Sequence, residues 1–365
     1  MLNNKTIAVV VPAYNEEKQI GMVIETMPDF VDRIIIVNDR SKDRTSEVIL
    51  KYIKNDNGNN ITISSKLSIS KENIYNKADI VLQHQQVEEI VYYTPFKVVN
   101  QNEDNDRIIL IDHLENGGVG AAISTGYKWC KDHNIDCTAV MAGDGQMDPS
   151  ELKSICMPVI EENIDYIKGN RLIHRSALLV IPKVRYFGNS ILSILTKVAS
   201  GYWHVSDTQT GYTAISNKAL NAIRIHQIYK KYGMPNDVLV KLNIAFCTLR
   251  EVEIKPVYHV GEESKMKIFK VIPKVSWLLF KSFFKRLWLK YLFRDFHPLF
   301  ILYHFAFICG LVSVPYGLRV LNRTINGEYL SEATILVFVF LFISSLQSFL
   351  FAMWMDIQDN ERLYK

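Results

Sequence analysis

Short apolar runs and stretches with a helical period alternate along the first 260 residues of the chain. Such runs are typical of buried strands, and we predict strands at 5–11, 34–37, 107–111, 138–141, 164–168, 213–215 and 252–257. Between them, apolar residues recur three and four positions apart, as from Ile20 to Met27, and this spacing predicts helices. Ser41 is expected to cap the helix after the second run, and Asp148 to cap another. The alternation predicts the α/β class with a largely parallel sheet.

Residues 55–105 interrupt this alternation and are rich in Asn, Ser and Gln. Apolar residues at alternate positions are compatible with a β-hairpin, namely Ile61, Ile63, Leu67 and Ile69, with Val87 and Val91 nearby. A partly mobile surface insertion is an equal alternative. We assign this segment no chemistry.

Two stretches near the carboxyl terminus, 298–318 and 333–355, contain no Asp, Glu, Lys or Arg. Each is long enough to cross a bilayer as a helix, which takes about 20 apolar residues. The alternative of two buried core helices is disfavoured, because a soluble helix rarely runs this far without a charge. We therefore predict a transmembrane hairpin joined by a short polar loop.

The basic residues near these spans predict their orientation. Between residues 265 and 294 there are nine Lys and Arg and no acidic residue, whereas the loop between the spans carries Arg323. No signal peptide precedes the first run, so we expect both termini and the domain that precedes the spans to be cytoplasmic. We divide the chain into a domain at 1–260, a juxtamembrane segment at 261–297 and the hairpin with its tail at 298–365.

The juxtamembrane segment combines aromatic and basic residues at helical spacing. Its apolar positions are Trp277, Phe280, Phe284, Leu287, Trp288 and Tyr291. The remaining surface is expected to carry Lys274, Lys281, Lys285 and Lys290. This pattern favours a helix in the lipid headgroup region, and the alternative is an amphipathic helix packed on the domain.

Composition excludes some partners. The chain has 365 residues, and 42 Lys and Arg against 38 Asp and Glu leave a net charge of +4, which argues against a nucleic-acid partner. The five cysteines form no CxxC pair, so we expect ordinary thiols in a reducing compartment. His113 shows no metal-ligand spacing and is interpreted as structural. Whether the chain forms a homo-oligomer is left open.

Polar residues follow several of the predicted strands directly. They are Tyr14, Asn15 and Glu16 after the first, Asp39 after the second, Gly118 and Gly120 before a helix, and Asp144 and Gln146 after the fourth. Ligands of open α/β sheets bind beyond the carboxyl ends of the strands, and a glycine-rich helix start can meet phosphate. Strand ends also need polar turn residues, but this many signals in sheet order favour a nucleotide-binding site.

In these segments the sequence resembles the family 2 glycosyltransferases of the GT-A fold. The matching pieces, in order, are PAYNEE, the Asp39 turn, the glycines before AAISTGY, DGQMDP, KGNR, SDTQTGY and GEESKMK. It is most similar to the membrane branch with dolichyl-phosphate mannose and glucose synthases and bacterial polyprenyl-phosphate glycosyltransferases. The resemblance covers 6–54 and 107–365.

The resemblance implies roles for individual residues. A nucleotide-sugar would be held by Pro12, Tyr14, Asn15, Glu16, Asp39, Gly118, Gly120 and Asp144. Asp144 and Gln146 would bind Mg²⁺ or Mn²⁺ bridging the diphosphate. The catalytic set would be Asp207, near the acceptor, with Arg171 and Arg185, which hold phosphate groups. The lipid phosphate would meet Arg185, Ser264 and Lys265.

The chain departs from the family pattern at three positions. Ala142 replaces the first acid of the usual Asp-x-Asp, Arg40 replaces a glycine after Asp39, and Val119 stands between the glycines of the helix start. The missing carboxylate leaves open a weaker metal site or a replacement ligand.

The implied reaction is an inverting transfer from a nucleotide-sugar to an undecaprenyl- or dolichyl-type phosphate at the cytoplasmic membrane face. A lipid phosphate is already ionised and mainly needs its charge neutralised, which suits a site with several cations. One alternative acceptor is a hydroxyl of a glycolipid or polysaccharide, although no QxxRW segment of a processive synthase is present. A membrane-anchored nucleotide-sugar binding protein without turnover is the other alternative.

Overall fold

The computed structural model describes residues 1–56, 62–63, 73–257 and 268–365. Within these residues one sheet contains eight strands. Their bounds are β1 Ile7–Ala13, β2 Arg33–Asn38, β3 Phe96–Val98, β4 Ile108–His113, β5 Cys137–Val140, β6 Tyr166–Asn170, β7 Thr213–Ser216 and β8 Leu249–Glu253.

Helices alternate with these strands and continue beyond the sheet. The α-helices are α1 Ile20–Glu25, α2 Thr45–Asn55, α3 Lys77–Glu88, α4 Val119–Asp132, α5 Leu152–Glu161, α6 Ala177–Val180, α7 Lys183–Ser200, α8 Asn217–Ala222, α9 Met234–Ile244, α10 Ile268–Trp288, α11 Pro298–Ile325 and α12 Glu332–Glu361. Short 3₁₀ turns lie at Glu89–Tyr92, Pro149–Glu151 and Ile225–Gln227, and a π-helical turn, Leu289–Arg294, follows α10.

The sheet has the order β3-β4-β2-β1-β5-β7-β6-β8. The pairs β4–β2, β2–β1, β1–β5 and β6–β8 are parallel, whereas β3 and β7 run against their neighbours. The prediction of an α/β class with a largely parallel sheet is confirmed. Because β6 is antiparallel to β7, which is antiparallel to β5, β6 ends at the same edge as β5, β1, β2 and β4.

Apolar side chains fill both faces of the sheet. From β1, Ala8 and Val10 pack into the layer that includes α4 and α9, while Ile7, Val9 and Val11 pack into the layer with α1, α2 and α5. Helix α4 lies very close to β1. A Cβ atom on Gly126 of α4 would stand only 2.4 Å from Val10 Cγ1 of β1, so only glycine fits there. Burial on both faces explains why the central strands are continuous apolar runs.

Part of the insertion at 55–105 differs from the hairpin alternative. Val87 lies in α3 and Val91 in the following 3₁₀ turn, so a strand there is wrong. The two residues are four positions apart, a spacing that fits a helix as well as a strand. Ile63 is buried in the core, while Ile61, Leu67 and Ile69 lie outside the described residues.

Helices α11 and α12 are long and apolar enough to cross a membrane. In their most apolar 18-residue windows, 28% and 6% of the residues are buried. Such exposed apolar surface contradicts the alternative of two buried core helices and agrees with the expected spans. The helices pack against each other, and a Cβ atom on Gly310 would lie 2.9 Å from Ser345 Oγ.

A buried polar cluster joins the end of α12 to the sheet domain. Arg286 forms two contacts of 2.7 Å with Asp356, and both side chains are inaccessible to solvent. Lys290 donates to Asn360 Oδ1 at 2.6 Å and to Asn243 Oδ1 of α9 at 3.2 Å. The expectation of an exposed Lys290 is therefore wrong, because the π-helical turn directs this lysine inward to polar partners that lie far away in sequence.

The residues after α12 also return to the sheet. The Leu249 amide of β8 donates to Leu363 O at 2.7 Å, and the Lys365 amide donates to Leu249 O at 3.0 Å. The Leu363 side chain is buried in the main core. Leu299 at the start of α11 is buried in an apolar cluster with Val240 of α9, so both ends of the hairpin are fastened to the sheet domain.

Candidate active site

The loop after β1 is fixed to the loop after β2 by hydrogen bonds. Asn15 adopts a left-handed backbone with φ 55°, its amide donates to Ser41 Oγ at 2.9 Å, and its Oδ1 accepts from the Lys42 amide at 2.8 Å. The Glu16 amide donates to Thr45 Oγ1 at 2.9 Å. These bonds hold the segment from Pro12 to Glu16 at the carboxyl edge of the sheet.

Ser41 has a different role from the one expected. It accepts from the Asn15 amide, and the Thr45 amide at the start of α2 donates to Asp43 Oδ1 at 3.1 Å. The helix begins later than predicted, so the capping prediction for Ser41 is wrong.

The Asp39 carboxylate binds backbone amides of the glycine-rich loop before α4. Its Oδ1 accepts from His113 Nδ1 and from the Gly117 amide, each at 2.8 Å, and its Oδ2 accepts from the Gly118 amide at 2.7 Å. Burial raises the pKa of this carboxyl, but the three hydrogen bonds more than offset that effect, so its pKa lies below the usual value. Asp39 is 3% exposed, and contact of this residue with a base or ribose stays a prediction.

The glycines at the start of α4 allow another chain segment to approach. Gly118 has φ 89°, and a Cβ atom there would lie 2.6 Å from Lys230 O. A Cβ atom on Gly120 would lie 2.1 Å from Tyr229 O, and the Gly120 amide donates to Lys230 O at 3.0 Å. Both amides therefore have protein partners, and phosphate contact at Gly118 and Gly120 stays a prediction.

Arg40 occupies the position where the family usually has glycine. Its φ of 57° lies in the left-handed region, which disfavours residues with a Cβ atom. Its guanidinium donates from Nη1 to Leu114 O at 2.7 Å. The backbone thus keeps the conformation that glycine would supply.

The loop after β5 carries Asp144 beside the end of β1. Asp144 Oδ1 accepts from the Gln146 amide at 3.0 Å, and Gly145 between them has φ 74°. The side-chain Nε2 of Gln146 is buried without a hydrogen-bond partner. Across the described ranges, no cluster of three or more His, Cys, Asp or Glu residues is placed to hold a metal. Protein ligands at Asp144 would therefore be few.

At the end of β6, Arg171 is locked to Asp207. Arg171 Nε donates to Asp207 Oδ2 at 2.8 Å and its Nη2 donates to Oδ1 at 3.1 Å. Asp207 is completely buried, whereas the Arg171 side chain is 23% exposed. Burial raises the pKa of Asp207, but Arg171 outweighs it and holds that pKa below its usual value. The arginine therefore presents part of its charge outward.

Two further charges surround this pair. Lys168 is fully buried and donates from Nζ to Thr210 O at 2.6 Å, and burial lowers its pKa to about 8. Glu251 of β8 accepts from the Asp207 amide at 3.0 Å, and burial raises its pKa. Sequence reasoning missed Glu251, because no motif marks it and the pairing of β8 with β6 brings it here.

The structure thus gathers most of the predicted site residues along one edge of the sheet. Arg171 follows β6 at the edge where Asp144 follows β5. Arg185 lies in the first turn of α7, but its side chain is outside the description, and Ser264 and Lys265 lie outside the described residues. Their predicted phosphate contacts stay predictions.

Comparisons with known proteins identify a family for this chain. The family model for glycosyl transferase family 2 matches residues 8–66. The chain is 30% identical over 261 residues to the UDP-N-acetylglucosamine–dolichyl-phosphate N-acetylglucosaminyltransferase of Methanococcus voltae, covering 70% of this chain and 87% of that protein. It is 23% identical over 300 residues to a dolichyl-phosphate beta-glucosyltransferase of Trichomonas vaginalis, covering 77% and 74%.

Among solved structures, one similar protein is glucosyl-3-phosphoglycerate synthase from Mycobacterium tuberculosis, in complex with Mn²⁺, uridine diphosphate and glucosyl-3-phosphoglycerate. The TM-score is 0.46 at 15% identity, covering 78% of this chain and 80% of that chain.

Proposed function

The chain belongs to the family 2 glycosyltransferases, with the GT-A fold, and we propose that it transfers a sugar from a nucleotide-sugar to a polyprenyl phosphate. One observation carries the proposal: the chain is similar along 87% of the length of a dolichyl-phosphate N-acetylglucosaminyltransferase. The acceptor class comes from that relative and from the cations near the site, while the sugar itself stays open.

The donor is assigned to the edge formed by β1, β2, β4 and β5. Tyr14, Glu16 and Asp39 stand at the ends of β1 and β2, where ligands of such sheets bind. The hydrogen bonds between these two loops hold the backbone of that edge before a ligand arrives. A preorganised edge suits a donor that must be oriented for attack.

A divalent ion fits the residues around Asp144. Mg²⁺ is commonly bound by one or two carboxylates together with substrate phosphates and water, so the single carboxylate left by Ala142 is sufficient. The buried, unpartnered Nε2 of Gln146 is a donor that a diphosphate oxygen would satisfy. When bound, Mg²⁺ or Mn²⁺ would stabilise the charge of the leaving diphosphate.

Arg171 is assigned to a phosphate group. Its guanidinium is partly exposed and aligned by a buried carboxylate, and guanidinium groups match phosphate geometry. An oxygen of the lipid phosphate would attack the anomeric carbon as the bond to the diphosphate breaks on the opposite side, which inverts the configuration. Because both Asp207 oxygens accept hydrogen bonds from Arg171, we assign Asp207 to holding that arginine and not to taking a proton.

We further propose that α11 and α12 cross the bilayer with the sheet domain on the cytoplasmic side. Support comes from the nine basic residues between 265 and 294 and from the exposed Trp277 and Phe280 of α10. The fastening of Leu363 to β8, together with the burial of Leu299 of α11 in one apolar cluster with Val240 of α9, keeps both outer ends of the hairpin beside the sheet domain.

The test uses purified full-length protein in detergent with polyprenyl phosphate, a panel of nucleotide-sugars, and Mg²⁺ or Mn²⁺. We expect radiolabelled lipid with one donor, and a loss of roughly a hundredfold or more in Asp144→Asn. Asp148→Asn is the matched control, because asparagine can still cap the Ser150 amide as Asp148 does. Label found on a hydroxyl lipid, or on none, would refute the proposal.

A further inference from the structure

The Glu251 carboxylate lies at the centre of a group of hydrogen bonds near Arg171. Its Oε1 accepts from the Ser206 amide at 2.9 Å and from the Asp207 amide at 3.0 Å. Its Oε2 accepts from Asn170 Nδ2 at 2.7 Å and again from the Ser206 amide at 3.0 Å. One carboxylate therefore joins β8 to the end of β6 and to the segment before β7.

These bonds reach Arg171 by two routes. Through the Asp207 backbone, Glu251 holds the residue whose side chain binds the Arg171 guanidinium. Through Asn170, it holds an amide whose Oδ1 accepts from the backbone N–H groups of Leu172 at 2.9 Å and Ile173 at 3.3 Å. The turn that carries Arg171 and the carboxylate that orients its side chain are thus tied to the same group.

The local charges also balance. The cations of this cluster are Lys168 and Arg171, and its anions are Asp207 and Glu251. Lys168 lies near both carboxylates, and each carboxylate lies near at least one cation. Lys168 and Glu251 are paired in register on β6 and β8. Loss of the half-buried Glu251 charge would leave a net positive charge beside Arg171 and the fully buried Lys168, which is unfavourable.

We propose that Glu251 is a positioning residue for the transfer, because it sets where Arg171 presents its guanidinium to the acceptor phosphate. This inference rests on the proposed function. Glu251 itself is not assigned to contact any reacting atom. Its effect passes through Asp207 and Asn170.

The test compares Glu251→Gln with wild type, using lipid phosphate as acceptor. The glutamine side chain has one acceptor oxygen and one NH2 donor group. Whichever way it turns, its NH2 group faces an N–H donor of the cluster, so one of the hydrogen bonds that hold the surroundings of Arg171 is lost. We expect kcat/KM for the acceptor to fall about tenfold or more, mainly through KM. Affinity for the nucleotide-sugar, measured by calorimetric titration without acceptor, should stay within about twofold. Glu253→Gln, an exposed residue on the same strand, is the matched control and should leave both values unchanged.

A double-mutant cycle separates positioning from general stability. In an Arg171→Lys background, Glu251→Gln should lower kcat/KM by less than about twofold, because its target has already been removed. Three results would each overturn the proposal. The first is that the two substitutions lower kcat/KM by independent factors that multiply. The others are that Glu251→Gln weakens nucleotide-sugar binding as much as it lowers kcat/KM for the acceptor, or that its kinetics equal those of wild type. If Glu251→Gln does not fold, Glu251→Asp, which keeps the charge on a shorter side chain, enters the cycle in its place.

The wild-type assay is performed first and distinguishes the two failures. If wild-type protein transfers no sugar to polyprenyl phosphate, the proposed function fails and the inference falls with it. If wild-type transfer is normal but the cycle is additive, the role of Glu251 alone is refuted.

Discussion

Replacement of Asp356 by alanine tests the junction between the end of α12 and the sheet domain. Asp356 and Arg286 are both completely buried and contact each other through two N–O distances of 2.7 Å. Arg286 also donates to Ala199 O at 3.0 Å and to Val198 O at 3.1 Å at the end of α7. The substitution would leave this guanidinium buried with hydrogen bonds but without its counter-charge.

The expected loss follows from that burial. Removal of one partner from a buried ion pair costs about 3–5 kcal/mol. The Tyr291 hydroxyl at 2.7 Å and Asn360 Nδ2 at 2.8 Å also lose an acceptor, but these contributions overlap and do not add. Since 1 kcal/mol shifts the melting temperature of a large domain by about 2–4 °C, we expect a decrease of roughly 6–20 °C.

The assay is thermal unfolding of detergent-solubilised protein, followed by intrinsic fluorescence. Arg362→Ala is the control, because its pair with Asp359 lies near the same helix end but its side chain is 58% exposed; its loss should be below about 1 kcal/mol. The double variant Arg286→Met with Asp356→Leu should recover part of the loss, because neither charge is then buried. If Asp356→Ala melts within about 2 °C of Arg362→Ala, the reasoning is refuted.

Four smaller predictions concern the sheet domain. The folded-state pKa of Asp39 is lowered, so its ionised carboxylate stabilises the fold fully above the unfolded-state pKa, and this stabilisation is lost as the pH falls toward the folded-state pKa. Asp39→Asn should therefore flatten the acid side of a curve of unfolding free energy against pH. Arg40→Gly should be more stable than Arg40→Ala by about 1 kcal/mol in thermal unfolding, because glycine accepts the left-handed backbone; equal stability would contradict this. Gly126→Ala should lose about 1–3 kcal/mol, because its methyl group would collide with Val10, and an unchanged melting temperature would count against the packing of α4. Leu363→Ala should cost about 2–5 kcal/mol and speed deuterium exchange at the β8 amide that donates to Leu363 O; unchanged exchange would refute the docked tail.

Much of the sheet could be predicted because its central strands are buried on both faces. The run at 34–37 is apolar without interruption, and the run at 138–141 contains one polar residue, Thr138. The structure places β2 and β5 over these runs within one residue at each end. The run at 252–257 predicted a strand, but β8 lies at Leu249–Glu253. That strand lies at the end of the strand order and contains three charged residues among five, so its pattern marks the boundary poorly.

The position of the site could be predicted, but the partners of its residues could not. Residues that follow parallel strands share one edge, so Asp39, Asp144 and Arg171 were predictable as neighbours of the site. A motif does not reveal that the Asp39 carboxylate is already engaged by Gly117 and Gly118, since those residues lie 78 and 79 positions away.

Local periodicity established the strands, the amphipathic segment and the two apolar helices, because each depends on burial that repeats every two or every 3.6 residues. The roles of Glu251 and Lys290 depend on contacts with residues 44 to 81 positions distant. A charged side chain looks the same in the sequence whether it is solvated or paired in the interior. Its fate is set by which polar groups the fold brings within hydrogen-bonding distance, and that is a property of the folded chain.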